Sequence, residues 1–180
     1  MKLWHKKEQE LDPLIEEFTV GDDFVLDERL VKYDCLASKA HAYVLYRAGI
    51  LTKGELGDLD LALDEILSLD EKGSFVITRS DEDCHTAIEN FLTEKLGDVG
   101  KKIHTGRSRN DQVLTALRLY EKDALSEIKK LLKNFGKRLD VAIAEHGDIG
   151  LPGYTHMRKA MPTTVAMWLG SFLELIEADE

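Results

Sequence analysis

The segment from Asn110 to His146, NDQVLTALRLYEKDALSEIKKLLKNFGKRLDVAIAEH, contains no proline and one internal glycine, Gly136. Its apolar residues recur at intervals of three and four, which average about 3.6 residues per step, the period of an α-helix. Such a helix would be about 55 Å long at roughly 1.5 Å per residue. A lone helix with so long an apolar stripe needs neighbours of similar length, so the segment predicts a bundle of long helices. The stripe consists of Val113, Leu117, Tyr120, Ala124, Ile128, Leu131, Phe135, Leu139 and Ala142.

The residues before this segment predict three shorter helices. Asp27 is a candidate cap for a helix that runs to about Gly49, where glycine suits the position after the helix end. Thr52 and Glu55 have the spacing of a capping box that opens the second helix, residues 80–83 favour the start of the third, and Gly97 and Gly100 follow it. Residues 73–78 are the best candidate for extended chain. The side chains expected to face inward are Leu30, Leu36, Ala40, Val44, Leu45, Leu59, Leu63, Ile66, Ala87, Ile88, Phe91 and Leu92.

The residues after the long segment predict a loop, 147–161, and a final helix whose first turn contains Pro162. The expected fold class is all-α, with a small helical N-terminal domain at 1–109 and the start of a central long-helix bundle at 110–180. Too few long helices are present to cover the stripe, so we expect the bundle to be incomplete, with more chain or other subunits supplying the cover. The apolar face of the final helix is Val165, Trp168, Leu169, Phe172 and Ile176.

The composition favours a protein that acts on small molecules. Asp and Glu number 34 against 24 Lys and Arg, for a formal charge of −10, whereas a nucleic-acid binder needs a basic face. The start of the chain, MKLWHKKEQELDP, has no apolar run of signal-peptide length, and no stretch approaches about 18 apolar residues. These features predict a cytoplasmic protein that binds neither nucleic acid nor a membrane.

The densest polar cluster is HTGRSRNDQ at residues 104–112, just before or within the start of the long helix. Arg107 and Arg109 can grip carboxylates in bidentate fashion, and a helix N-terminus favours anions. Gly106 would allow close approach of the backbone. The pattern therefore predicts an anion site, although a capped helix start with solvated arginines would have the same composition.

Two further clusters contain histidine. Residues 153–159, GYTHMRK, place a histidine in a loop, where it can transfer protons near neutral pH or be an ordinary surface residue. Residues 81–85, DEDCH, offer possible metal ligands, but acidic residues also favour a helix start without any metal. Cys35 and Cys84 fall in no zinc-type spacing, and we expect them to be reduced and packed in helices. No metal site is predicted.

Four stretches of the chain resemble argininosuccinate lyases of the fumarase/aspartase superfamily. Residues 104–113, HTGRSRNDQV, match a segment of that family letter for letter. Residues 27–41, 82–89 (EDCHTAIE) and 152–156 (PGYTH) resemble three other family segments in order and spacing. The resemblance spans nearly the whole chain.

This resemblance implies a fold, a reaction and an assembly. The fold is a small helical domain followed by a central helical bundle, and the full-length protein is expected to be a homotetramer. The reaction is reversible β-elimination of argininosuccinate, which gives L-arginine and fumarate without metal or organic cofactor. Family active sites combine segments from three subunits and include a flexible loop of the G-S-S-x-M-P-x-K type. That loop would lie beyond residue 180, so we expect the chain to be an N-terminal fragment that is inactive alone.

The resemblance also implies roles for individual residues. His156 has the family position for acid–base work, while Arg109, Asn110 and Thr155 would contact substrate carboxylates or nearby groups. Arg107 and Ser108 would organise the segment or contact substrate. The predicted catalytic residues are thus His156 and Thr155, and the predicted substrate-site residues are Arg109, Asn110, Thr155, Ser108, Arg107 and His85.

The chain departs from the family pattern at three places. Residues 19–23, TVGDD, stand where the family often has a substrate-contacting serine. Arg158 and Met161 stand where it has glutamines. These differences put fine substrate contacts in question and leave the main motifs in place.

Three other functions fit the sequence less well. Another superfamily lyase, acting for example on adenylosuccinate, would share the fold but not the unbroken HTGRSRND segment. A non-catalytic descendant resembling the lens crystallins would have no need of Arg109, Asn110, Thr155 and His156 together. A free-standing helical interaction module would need to fold at this length despite an apolar final helix.

Overall fold

The computed structural model describes residues 13–179, so the predictions for the first twelve residues, including the expectation that they contain no signal peptide, lie outside the described residues. The described part consists of helices and one β-hairpin, which confirms the all-α class. It forms two compact units, divided between Glu121 and Lys122; the domain boundary at 109/110 stays a prediction. The helices are α1 (Pro13–Val20), α2 (Asp23–Leu26), α3 (Val31–Arg47), α4 (Lys53–Glu71), α5 (Cys84–Leu96), α6 (Asp98–Lys101), α7 (Arg109–His146) and α8 (Val165–Asp179).

The core of the first unit lies between α3, α4 and α5. Leu59, Leu63 and Ile66 of α4 are fully buried there, as the helical period predicted. Burying such side chains contributes about 1.5–3 kcal/mol each relative to leaving them exposed. The other buried members of this core are Val31, Cys35, Ala42, Leu45, Leu51, Ala62, Ile77, Cys84, Ala87, Ile88, Leu92 and Ile103.

The predicted helix ends around residue 50 are confirmed. Gly49 follows α3 with φ +76°, a left-handed conformation that glycine adopts without strain. The Thr52 hydroxyl accepts a hydrogen bond from the Glu55 N–H at 3.2 Å, and the Thr52 N–H donates to the Glu55 carboxylate at 2.7 Å. This capping box satisfies two donors at the start of α4.

The inward face predicted for the first helix is partly wrong. Leu45 is buried, but Leu36 and Val44 are 43% and 58% exposed and Ala40 is also exposed. Apolar spacing alone misassigned this face because two polar residues, Asp34 and Ser38, take the buried positions instead.

The start of that helix also differs from the prediction. Residues Asp27–Leu30 form a 3-10 segment before α3, and Asp27 does not cap its own helix. Its carboxylate instead accepts the N–H of Cys84 at 3.2 Å, at the start of α5. A side chain that was expected to act locally thus joins two helices that are far apart in sequence.

The remaining short elements follow the sequence with small shifts. Asp83 caps α5 by accepting the Thr86 N–H at 2.6 Å, so the helix starts at Cys84, at the end of the predicted acidic run. Gly97, with φ +61°, ends α5 as expected. Residues 74–78 have no regular structure, and they join no sheet within the described chain.

The long helix α7 confirms the main sequence prediction, since it is continuous from Arg109 to His146. In the first unit its Gln112 and Ala116 are buried. In the second unit Leu139 is buried, and Leu173 of α8 lies 3.5 Å from the position that a Cβ on Gly136 would occupy. Much of the predicted stripe is nevertheless exposed: Leu117 is 37% exposed, and Ile128, Leu131 and Phe135 are 50–60% exposed.

The predicted loop at 147–161 is wrong, because the structure forms an antiparallel hairpin there. Its strands are β1 (Gly150–Thr155) and β2 (Arg158–Thr164). Pro162 is therefore in a strand, opposite Pro152, and not in the first turn of α8. Proline is tolerated in edge strands, and both strands of a two-stranded sheet are edges. The hydroxyl of Thr164 accepts the Met167 N–H at 3.2 Å and caps α8 instead.

Within the described residues, none of the helices combines the length and the apolar composition that a membrane crossing requires.

Candidate active site

The segment 104–113 connects a short 3-10 turn, Lys102–His104, to the first turn of α7. Gly106 has φ +72°, which reverses the chain in a conformation that most other residues avoid. Ser108 then caps α7, because its hydroxyl accepts the Asp111 N–H at 3.4 Å. In return, the N–H and hydroxyl of Ser108 donate to the Asp111 carboxylate at 2.8 and 3.0 Å. These two bonds hold the pKa of Asp111 below its ordinary value. The same residues therefore form both the capped start of α7 and the polar cluster that was predicted from the sequence.

Arg107 points back toward the core of the first unit. Its Nη1 donates to the Ser38 hydroxyl at 3.1 Å, and that hydroxyl donates to Asp34 Oδ1 at 3.3 Å. Burial lowers the pKa of the Arg107 guanidinium, while the nearby Asp34 acts in the opposite direction. Arg107 thus anchors the segment 104–113 to Ser38 of α3.

His85 lies next to Asp34, the residue that accepts the Ser38 hydroxyl. Its ring is 1% exposed, and Nδ1 is 3.0 Å from Oδ2 of the fully buried Asp34. Neither ring nitrogen makes a hydrogen bond within the described residues, so this is a close polar contact without hydrogen-bond geometry. The predicted site residue His85 is thus linked to the segment through Asp34, Ser38 and Arg107.

Arg109 is held against α5 by each part of its guanidinium group. Nη2 donates to the Thr86 hydroxyl at 3.0 Å, Nη1 lies 3.3 Å from Glu89 Oε1, and Nε lies 3.5 Å from Asp83 Oδ2. Its side chain is 27% exposed. The structure places this predicted substrate contact in a partly buried network within its own unit.

Asn110 differs from the two arginines. It follows Arg109 in the first turn of α7 and is exposed. Its side-chain amide can both donate and accept hydrogen bonds. Of the predicted substrate-site residues in the first unit, Ser108 and Asn110 are exposed, and the Ser108 hydroxyl is already bonded to Asp111.

A cavity of about 320 Å³ lies beside the segment, bounded by α3 and α7. Nε2 of His41 is 3.0 Å from the backbone oxygen of Thr105, to which it can donate. Burial lowers the pKa of His41, which favours the neutral ring. The cavity is lined by Ala37, His41, Gly106, Arg107, Asp111, Gln112 and Thr115.

Thr155 and His156 belong to the second unit, at the tip of the hairpin. Thr155 pairs with Arg158, so His156 and Met157 form a two-residue turn. Their φ angles are +50° and +63°, the pattern of a type I′ turn, which matches the twist of the strands. Residues other than glycine rarely adopt these angles, and such strain is concentrated at functional sites.

The two strands of the hairpin approach each other closely near Thr155 and His156. A Cβ on Gly153 would lie 2.9 Å from Met161 Cγ and 3.1 Å from its backbone oxygen. The pairing shifts at Gly153/Tyr154, and such a bulge redirects the side chains that follow it. Thr155 and His156 are both exposed, so they are accessible to a ligand.

Among the described residues, one group of His, Cys and Asp side chains is close enough to share a cation: Asp27, Cys84 and His85, with donor atoms within 4.8 Å of one another. Burial raises the pKa of the Cys84 thiol and of the Asp27 carboxyl. A metal ligand must be deprotonated, so this environment disfavours the charged forms that a cation would need.

Comparison with known proteins identifies the family. A family model described as "Lyase" matches residues 5–180. The chain belongs to this lyase family. It is 53% identical over 178 residues to an argininosuccinate lyase of Thermotoga neapolitana, covering 99% of this chain and 44% of the relative. It is 47% identical over 173 residues to an argininosuccinate lyase of Xanthomonas euvesicatoria, covering 96% and 40%.

A third relative, from Parabacteroides distasonis, has the same name and is 42% identical over 181 residues, covering 99% of this chain and 40% of the relative. The chain thus spans 40–44% of the length of these lyases. The crystal structure of a fumarate lyase:delta crystallin from Brucella melitensis has a TM-score of 0.72 at 22% identity. The structural match covers 92% of this chain and 41% of the Brucella melitensis chain. At this identity the match supports the helical fold alone.

Several residues that shape this candidate site were not singled out by the sequence. Glu89, Gln112 and Thr86 surround Arg109, and Ser38 and Asp34 support Arg107. Four of them lie in stretches that resemble the family, and Gln112 lies in the 104–113 segment itself. A single sequence contains no signal that these stretches converge in space.

Proposed function

We propose that the protein containing this chain is an argininosuccinate lyase, which splits argininosuccinate reversibly into L-arginine and fumarate. The observation that carries the proposal is the 53% identity to a protein of that name over 178 residues. The structure of the HTGRSRNDQV segment also supports the proposal. Arg107 ties this segment to Ser38, and Asn110 is exposed in the first turn of α7.

The reaction requires two proton transfers and a means of stabilising charge. A base removes a proton from the carbon next to a succinyl carboxylate, and the electron pair is delocalised onto that carboxylate. The carbon–nitrogen bond then breaks as the carbon–carbon double bond of fumarate forms, and an acid protonates the departing guanidino nitrogen. Fixed hydrogen-bond donors stabilise the intermediate charge best, because they need not reorganise during the reaction.

The residues of this chain can supply part of that machinery. Asn110 would donate its amide N–H to a substrate carboxylate, near the N-terminal end of α7, which favours anions. Thr155 would donate its hydroxyl to a second carboxyl group. His156, at the strained tip of the hairpin, would hold or move a proton. Arg109 would add positive charge beside Asn110.

The proposed assembly is a tetramer of the full-length protein, in which other copies cover the apolar surfaces of the second unit. In α7, Ile128, Leu131 and Phe135 are 50–60% exposed. In α8, Trp168 and Phe172 are 56% and 42% exposed. Water-exposed apolar area of this kind favours burial against other helices. We place the enzyme in the cytoplasm, as predicted from its sequence.

The proposal is tested by following fumarate release from argininosuccinate by the full-length protein at neutral pH. His156→Asn should lower kcat by about 10²–10⁴-fold, the usual range for loss of an acid–base group. His146→Asn is the matched control, because His146 is exposed at the end of α7. It should leave kcat and KM unchanged.

Other outcomes would replace the proposal. Fumarate release from adenylosuccinate but not from argininosuccinate would indicate a different lyase of the same superfamily. A folded, assembled protein that releases fumarate from neither substrate would favour a non-catalytic, crystallin-like role. Equal activities of the two histidine variants would refute the role of His156.

A further inference from the structure

One carboxylate oxygen of Glu89 is shared by three donors from the segment 104–112. Oε1 lies 3.1 Å from Nδ1 of His104, 3.3 Å from Nη1 of Arg109 and 3.1 Å from Nε2 of Gln112. His104 lies before Gly106, whereas Arg109 and Gln112 lie in the first turn of α7. A single side chain on α5 therefore connects the whole segment.

Burial strengthens this connection. The Glu89 side chain is 17% exposed, and Arg109 is 27% exposed. Gln112 is 1% exposed, so its amide has little access to water. Removing one member of a partly buried charge pair leaves the other uncompensated, which costs more than losing a surface ion pair. Glu89 is the charge that compensates Arg109 at its Nη1 end.

The remaining contacts of Arg109 fix its orientation. Nη1 also donates to Gln112 Oε1 at 3.1 Å, and Nη2 donates to Thr86 at 3.0 Å. A planar guanidinium with both terminal nitrogens engaged on one side has few rotamers left. The backbone of Arg109 continues directly into Asn110, so the arginine side chain also fixes the start of the next residue.

We propose that Glu89 is a positioning residue of the substrate site, which holds Arg109, Gln112 and His104 so that the neighbouring Asn110 meets the substrate in one geometry. This inference rests on the proposed lyase function. It assigns Glu89 no contact with substrate, since its carboxylate already faces three donors of its own chain. Under this inference, Arg109 can contact substrate only through the guanidinium N–H groups that Asp83, Thr86 and Glu89 leave free.

The test is a double-mutant cycle in the full-length protein with argininosuccinate as substrate. Glu89→Gln keeps the shape and removes the charge, and should lower kcat/KM by about tenfold or more through its coupling to Arg109. In an Arg109→Gln background the same change should cost less than about threefold, because the arginine charge that Glu89 compensates is gone. Glu94→Gln is the control, on an exposed position of the same helix, and should change nothing.

A second variant covers the case in which Glu89→Gln fails to fold. Thr86→Val removes only the acceptor of Arg109 Nη2, and should lower kcat/KM in the same direction with the same dependence on Arg109. An equal loss from Glu89→Gln in both backgrounds, or no loss in either, would overturn the inference.

Backbone amide hydrogen exchange separates this inference from the proposed function. If the wild-type protein has no activity on argininosuccinate, the proposed function fails but the positioning role is still measurable. Glu89→Gln should then speed exchange in residues 104–112 and leave residues 53–71 of α4 unchanged. Unchanged exchange in 104–112 would overturn the inference whatever the substrate.

Discussion

Ser38→Ala removes a single buried hydroxyl that links two charged side chains. Ser38 is 0% exposed, and its oxygen is bonded to Arg107 Nη1 at 3.1 Å and to Asp34 Oδ1 at 3.3 Å. The change leaves almost no cavity, because it deletes one oxygen atom. Its effect on stability therefore reports on the hydrogen bonds that join Arg107, Ser38 and Asp34, and not on the apolar core.

The expected magnitude follows from these two bonds. A hydrogen bond to a charged group contributes about 1.5–3 kcal/mol to stability. The two bonds of Ser38 share one hydroxyl, and the 3.3 Å bond to Asp34 is longer than the usual O–H···O range. They do not add fully, so we expect the free energy of unfolding to fall by about 2–4 kcal/mol.

The assay is urea unfolding followed by far-ultraviolet circular dichroism. Protein concentration is held fixed, because association adds to apparent stability. Ser126→Ala is the control: this serine is exposed on α7, and its hydroxyl donates to the Lys122 backbone oxygen at 2.8 Å. It should change stability by less than about 0.5 kcal/mol. A Ser38→Ala effect no larger than that of the control would refute the reasoning.

Three further changes test other parts of the structure. In Gly100→Ala the new Cβ would lie 2.2 Å from the backbone oxygen of Leu92, so α5 and α6 must separate at a cost of about 1–3 kcal/mol; an unchanged melting temperature would contradict this. Gly153→Ala should destabilise less than Gly100→Ala, because its closest contact is 2.9 Å to a side-chain carbon, Met161 Cγ, and not 2.2 Å to a backbone oxygen; the reverse order, measured by thermal unfolding, would be inconsistent with the hairpin geometry. The bond from Lys102, followed by the capping bonds, lowers the pKa of Glu55 to about 2 from 4.5. Since the folded pKa is the lower one, the stabilisation is complete above pH 4.5 and is lost as pH falls toward 2. Glu55→Gln should flatten the stability–pH curve in that window, and an unaltered curve in acid titration would oppose this assignment.

The hydrophobic period predicted the long helix correctly because helix geometry is local. From Arg109 to His146 each turn repeats the spacing of the last, so one sequence contains the signal many times. Capping is equally local, since Thr52 and Glu55 are three residues apart and form the predicted box. These features depend on neighbours within one or two turns.

The inward face of α3 and the hairpin were mispredicted for a different reason. Asp34 and Ser38 are buried where Arg107, which precedes α7, donates to the Ser38 hydroxyl, and no period on α3 can indicate this contact. The strands at 150–164 depend on pairing across a two-residue turn, whereas the sequence around Pro152 and Pro162 contains breakers of regular structure. Contacts with distant residues overrode the local preference in both cases.

The sequence by itself determined the helical class, the long helix and the stretches that resemble the lyase family, because these depend on residue type and spacing along the chain. The tertiary structure decided which parts of HTGRSRNDQ face the protein and which face outward. Arg107 and Arg109 look alike in sequence, yet the first is anchored on Ser38 and the second on Glu89, while Asn110 is exposed. The physical reason is that a buried charge requires a partner, and only the folded chain brings those partners from α3 and α5 to the segment.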